Sequence, residues 1–333
     1  MNNAALSKLT LALASVLIAP LISAQSDVIP RTEYGTPDFQ GTYTFRTITP
    51  LNRPRELENK ATLTPEEAIE WEDYENRRQN RDLIIDSVGG AGYPPGGISY
   101  NEFWYERGIE TIADRRTSLI YDPPNGRTPP SNPLGRERRA AYGQMVFESA
   151  GPEGRTTVDR CLTGFNAGPP MLPSAYNNNV QLFQTPDHVV ILNEMIHEAR
   201  VVPLDGRAPL PDGIRQWMGD SRGRWEGDTL VVESRNYTDK TGSFYTIIGS
   251  FGSGETLHLV ERFTRIDAET LLYEFIVDDP KTFTQPFTAA IPMKHSDAPL
   301  FEYACHEGNY GMMNILSGHR QLERVAAAAA NEN

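Results

Sequence analysis

The sequence predicts a mainly β fold: an antiparallel meander, closed as a barrel or folded as a sandwich, behind an N-terminal layer of loops and two short helices. Three observations lead there. From residue 180 onward, strand-like runs succeed one another at 180–184, 188–202, 224–234, 256–267, 270–278, 284–292 and 300–307. Turn signals stand between them, including Thr-Pro-Asp, Leu-Asp-Gly-Arg, Glu-Gly-Asp, Gly-Ser-Gly and Asp-Asp-Pro. Short strands at this spacing are the mark of all-β sandwiches and barrels. Helical signals, by contrast, are confined to two stretches in the first half of the chain.

Taken in order, residues 38–45 alternate like one strand, either the first of the later sheet or an arm on its surface. Thr64-Pro65-Glu66-Glu67 is a helix start: Thr64 caps, Pro65 suits the first helical position and Glu67 completes a capping box. Ala68, Ile69, Trp71 and Tyr74 make its apolar face, and the helix ends in the basic stretch 77–81. The glycine- and proline-rich residues 89–97 are a loop, either a lid or a linker. Residues 99–108 are dense in aromatics, and Asn101, Trp104 and Tyr105 are candidates to line a pocket or to anchor this segment on the sheet. Residues 116–122 read as a strand ending in Asp-Pro-Pro-Asn-Gly, a tight turn. A second helix covers 135–148, and 150–179 is irregular. Within the meander, Glu226-Gly227-Asp228-Thr229 is a hairpin in miniature. The Ala-rich residues 326–330 fall in a frayed tail at 321–333. The expected organisation is a signal peptide at 1–24, a wrapping region at 25–179, a barrel at 180–320, and that tail.

The chain is 333 residues long with a formal charge of −13. Lys8 is followed by an apolar run over 9–22 and by Ile22-Ser23-Ala24, the pattern of a secretory signal with a small-residue cleavage site. Without residues 1–24 there remain 30 basic and 44 acidic side chains, hence −14. That balance argues against nucleic acid, which requires a basic footprint, and against docking on anionic lipid. The expectation is a periplasmic or secreted protein with no membrane insertion after signal cleavage and a small molecule as its partner. Two cysteines, Cys161 and Cys305, read in such a compartment as one disulfide, or alternatively as a thiol nucleophile. A bridge closing so long a loop stabilises by about 3–5 kcal/mol.

Several motifs stand together across residues 99–320. They are Thr117-Ser118-Leu119-Ile120 with Asp122-Pro123-Pro124 and Gly126-Arg127, Asp159-Arg160-Cys161, Glu194-Met195-Ile196-His197, the run 225–232, and Cys305-His306-Glu307-Gly308-Asn309-Tyr310. This set resembles a family of secreted bacterial proteins of unassigned function. The resemblance implies export and carries no catalytic role. The turn rhythm of the C-terminal half is similar to lipocalin-like barrels, which implies a small-molecule cavity at the barrel mouth.

Six histidines occur, and two of them precede glutamate, in His197-Glu198 and His306-Glu307. On a strand, neighbours point to opposite faces, so neither pair acts as a unit there. Alternation puts His197 inside, with Asn193 and Met195. On the last run it offers either Glu302 and His306, or Tyr303 and Cys305, as inward groups. The adjacent strands offer Arg262 and Glu274. A cavity holding His197 as base, His306 as partner or acid, Glu302 and Glu274 as orienting carboxylates and Arg262 as anion holder suits acid–base chemistry without a cofactor, of lyase, isomerase or hydrolase type. Trp104, Tyr105 and Tyr303 would contact the substrate. Inward charges that simply pair with one another and plug the lumen are the plainer reading. A divalent metal on His197, His306 and a carboxylate is a further option by ligand type, although no His-x-His, His-x-x-x-His or His-Glu-x-x-His spacing occurs. A periplasmic binding or carrier protein without turnover is the alternative to an enzyme. No phosphate loop or dinucleotide fingerprint is present.

Overall fold

Residue chemistry divides each long strand into a core face and a solvent face, and the sheet follows from that division. In the computed structural model, which describes residues 29–80, 82–83, 101–148, 151–240 and 254–331, ten strands join in one antiparallel sheet. The stretches read as a signal peptide and as a glycine-rich loop lie outside the described residues.

The strands are β1 (Gly41–Thr44), β2 (Ile120–Asp122), β3 (Asn179–Gln184), β4 (His188–Asn193), β5 (Ala199–Pro203), β6 (Asp220–Glu226), β7 (Thr229–Arg235), β8 (His258–Arg265), β9 (Thr270–Asp278) and β10 (Phe287–Ser296). Their order is β5-β4-β3-β1-β10-β9-β8-β7-β6, with β2 pairing on β10 beside this path. Strand β1 therefore lies inside the sheet, with Tyr43 opposite Val180 on one side and His295 on the other. The hairpin at Gly227-Asp228 forms as expected: Glu226 faces Thr229, and Gly227 takes φ +61°.

Hydrogen bonds do not close the sheet, and β5 and β6 are its two edges. These edges nevertheless meet through side chains. A Cβ at Gly223 on β6 would stand 2.5 Å from Leu204 and 2.9 Å from Val202, so glycine is required for the approach. The inner face carries Leu271, Tyr273, Phe275 and Val277 from β9 and Leu259 and Phe263 from β8. Together with Phe39, Tyr43 and Phe287 they form one continuous core.

Three long helices accompany the sheet among the described residues: α1 (Pro65–Gln79), α2 (Pro133–Glu148) and α3 (Tyr310–Asn331). At the start of α1, Glu67 N donates to Thr64 Oγ1 (3.2 Å) and Thr64 N donates to Glu67 Oε2 (2.8 Å), the reciprocal box read from the sequence. No residue of α3 is buried.

Three sequence expectations need correction. The run 188–202 is two strands joined by a turn at Met195–His197. Residues 300–307 are not a strand, because Cys305 and its neighbours are held from the side by a disulfide and by single backbone contacts. The stretch read as a frayed tail continues α3 as far as Asn331, since alanine is the best helix former.

One charged pair sits in the core. Arg200 on β5 donates from both terminal nitrogens to the Glu261 carboxylate on β8 (2.6 and 2.9 Å), with only 5% and 0% of the two residues exposed. Tyr273 OH donates to Glu261 Oε1 (2.8 Å) and accepts from Met171 N (3.1 Å). Burial alone would pull the Arg200 guanidinium down, but Glu261 outweighs it and holds the group above its ordinary value. Burial and the neighbouring Glu261 push the Tyr273 hydroxyl well up, so it stays a proton donor. Glu261→Gln leaves Arg200 charged and unmatched, and we expect it to lower unfolding free energy by about 3–5 kcal/mol in urea titrations. The double change Arg200→Met with Glu261→Leu should recover most of that loss.

Candidate functional site

The motifs Asp-Arg-Cys, Glu-Met-Ile-His and Cys-His-Glu-Gly-Asn-Tyr converge in the structure, outside the core. Cys161 and Cys305 form a disulfide, with Cα atoms 5.7 Å apart across a separation of 144 residues. Asn309 Nδ2 donates to the Asp159 carbonyl (2.9 Å) and lies 3.4 Å from Cys161 Sγ, while its Oδ1 accepts from Met312 N and starts α3. The same C-terminal segment is pinned to the β4–β5 turn. Phe301 N donates to Glu194 Oε1 (3.0 Å), and Asn179 Nδ2 donates to Glu194 Oε2 (2.7 Å). Buried Ala167, Met195 and Ile196 form a small satellite core on which Phe165, Tyr176, Tyr303 and Cys305 pack.

His197 stands in that turn, exposed to solvent rather than inside the sheet as strand alternation predicted, because the chain turns there instead of continuing as a strand. Its backbone φ is +48° and that of Ile196 is +66°, a left-handed pair that is unfavourable for a β-branched residue by about 1–3 kcal/mol. His197 Nδ1 lies 3.1 Å from the Tyr303 carbonyl oxygen. A carbonyl can only accept, so Nδ1 carries the proton and Nε2 of the neutral ring keeps its lone pair. Glu198 follows immediately and is half-buried. Burial pushes its carboxyl up, partly offset by the neighbouring His197. The strand rule that separated the two side chains does not apply here, because they lie at a turn. Glu198 was missed for that reason. The available signal was length: a run of roughly fifteen residues exceeds the usual strand of about 3–10.

The remaining expected residues divide into two groups. His306 and Glu302 are exposed, on the segment that carries Tyr303 and Cys305, and they are not inside the sheet. Tyr303 is half-buried beside His197. Asn101 donates from Nδ2 to Asp82 (3.1 Å), next to the exposed stack of Phe103 and Trp104, whose ring centroids are 4.7 Å apart. The Arg107 guanidinium lies 5.2 Å above the Tyr105 ring. Glu106 ties this segment to the loop that bears Tyr176, donating from its N to the Ala175 carbonyl (2.7 Å).

Arg262 and Glu274, expected inside, face outward, because Glu261 and Tyr273 take the inner positions on their strands. Arg262 Nη1 donates to Glu226 (2.9 Å) and, with Arg224, holds the Glu226 carboxyl below the usual range. Tyr121 OH donates to Glu274 (2.9 Å), and burial together with this carboxylate pushes the Tyr121 hydroxyl up to about 12. Among the described residues, no three His, Cys, Asp or Glu side chains stand close enough to hold a metal ion, so His197 and His306 do not assemble one with a carboxylate there. No described helix is long and apolar enough to cross a membrane, and the disulfide is consistent with an oxidising compartment. Comparison with protein-family models, with curated proteins and with solved structures finds no match.

Two outcomes follow from this geometry. Cys305→Ser should lower unfolding free energy by about 3–5 kcal/mol in urea and open residues 300–309 to protease. Because the folded carboxyl of Glu198 is raised, its contribution to stability is fully present below the unfolded pKa of about 4.3 and declines as pH rises through the folded value. Glu198→Gln should therefore stabilise the fold at pH 7 relative to wild type and have no effect near pH 3.5, as read by thermal melts across that range.

Proposed function

We propose that this protein is an enzyme that moves protons on a small, partly apolar molecule, with His197 as the base and Glu198 as the acid. The observation that carries this reading is the 3.1 Å contact between His197 Nδ1 and the Tyr303 carbonyl. It assigns the tautomer, leaves Nε2 as the acceptor, and supports the imidazolium that forms once a proton arrives. Glu198 supports the second role. A carboxyl raised by burial retains a proton to higher pH than an ordinary one, and a base and an acid with divergent environments are the usual equipment for proton transfer.

In the proposed step, Nε2 removes a proton from carbon beside a carbonyl, or from an attacking hydroxyl or water. The carbonyl π pair moves onto oxygen; as it returns, the enolate is protonated at carbon or expels a β-substituent, or the tetrahedral adduct expels its alcohol, and protonated Glu198 gives its proton to that carbon or leaving group. The reaction class is a lyase, isomerase or hydrolase, and the protein's own groups perform every transfer named. His306 and Glu302, exposed on the neighbouring segment, are the secondary candidates for contact with the substrate, with Trp104, Tyr105 and Tyr303 as apolar surface. Arg262 and Glu274 have no part in this reading.

The test is a turnover screen of small α-protic carbonyl compounds, β-hydroxy acids and simple esters, comparing wild type with His197→Gln. The expected result is turnover by wild type that falls about a hundredfold or more in the variant, with an unchanged melting temperature. Equal turnover by both proteins overturns the assignment. Saturable binding with no turnover across the panel replaces it with the carrier reading.

A further inference from the structure

A cleft of about 570 Å³, distinct from the His197 turn, opens between one face of α2 and a wall that includes Arg160, Trp217 and Lys240. Its helical wall is Arg138, Ala141, Tyr142 and Met145, positions three and four apart and hence on one face of α2. A volume of this size accommodates one small organic molecule.

The charges are arranged for an anion. Arg138 Nη1 is shielded from solvent and has no hydrogen-bond partner among the described residues. Glu255, whose carboxyl feels the Arg138 charge, is itself engaged by Lys281. The Arg160 guanidinium lies over the Trp217 ring at 5.5 Å, and its Nη1 donates to the Glu153 carbonyl at 3.3 Å, so the group is held in place. Lys240 is exposed, and its ammonium makes no ion pair with a described residue. Glu153 and Asp239 also line the cleft, leaving one net positive charge inside a protein of formal charge −13. The apolar components are planar or thin: Trp217, Tyr142, Ala141 and Met145.

We infer that this cleft binds a small aromatic monocarboxylate, with its carboxylate on Arg138 and its ring against Trp217 and Tyr142. A planar acceptor with two oxygens suits the planar guanidinium of Arg138, which lines the cleft. A flat ring extends the stack that Arg160 and Trp217 begin. A single negative charge matches the excess of one positive charge.

The test is titration of the full-length protein with 2-naphthoate by calorimetry, set against 2-naphthalenemethanol and inorganic phosphate. Saturable 1:1 binding of naphthoate is expected, at least about tenfold tighter than either control. The affinity should fall about tenfold or more in Arg138→Gln and in Trp217→Leu, and by less in the exposed variant Lys240→Gln. Melting curves for each variant establish that the fold is intact. Three results would overturn the inference: no saturable binding at millimolar naphthoate, equal affinity for the neutral alcohol or phosphate, or full affinity retained in Arg138→Gln. The prediction does not depend on turnover at His197.

Discussion

The Arg200–Glu261 pair governs the architecture. It joins β5, an edge strand, to β8, which lies six strands away along the sheet, so the sheet has to curl for the two groups to meet. Once Glu261 is committed to the inner face, alternation dictates the rest of β8 and its neighbours. Leu259 and Phe263 turn inward with it, while Arg262 turns out. Tyr273 follows on β9, where it caps the carboxylate and receives the Met171 amide, and Glu274 is displaced to the surface. A desolvated pair of this kind adds little net stability compared with apolar side chains, but breaking it leaves a charge with no water. Its main effect is on register: a one-residue slip would leave both charges without partners.

The fold class was legible because the evidence for it is local and repeated. The alternation in β9 and the Gly-Asp turn before β7 both follow from nearest neighbours, as does the capping box at Thr64. What was not legible depended on partners distant in sequence. Nothing near residue 261 reveals that Arg200 awaits it, and choosing a face by local charge placed Arg262 and Glu274 on the wrong side. Inward charges that pair and fill the interior, the plainer of the two readings weighed from the sequence, describe Arg200 and Glu261 well. The β4–β5 turn was hidden for a different reason. Asn193 through Ala199 contains no glycine or proline, and Ile196 adopts a conformation that its side chain disfavours.

The candidate site is held by tertiary contacts rather than by the sheet. Glu194, almost fully buried, binds both the Asn179 side chain and the Phe301 amide, and so orients the turn before His197. The disulfide and Asn309 then fix the segment whose carbonyl at Tyr303 orders the imidazole. Cys305 thus acts in a structural capacity, and its thiol is not available as a nucleophile. The chemistry assigned to His197 relies on four separate stretches of chain meeting at one surface, held by one disulfide and by hydrogen bonds.

The position of β1 has a consequence for how the chain acquires its shape. Among the described residues, this four-residue strand is the sole ladder link between β3-β4-β5 and β10-β9-β8-β7-β6, and its partner on one side lies some 250 residues downstream. Neighbouring hairpins can zip as soon as they are synthesised, whereas this junction requires closure of a very long loop. The two meanders should mature as separate half-sheets, and their union through Gly41–Thr44 should be the late, rate-setting event of folding.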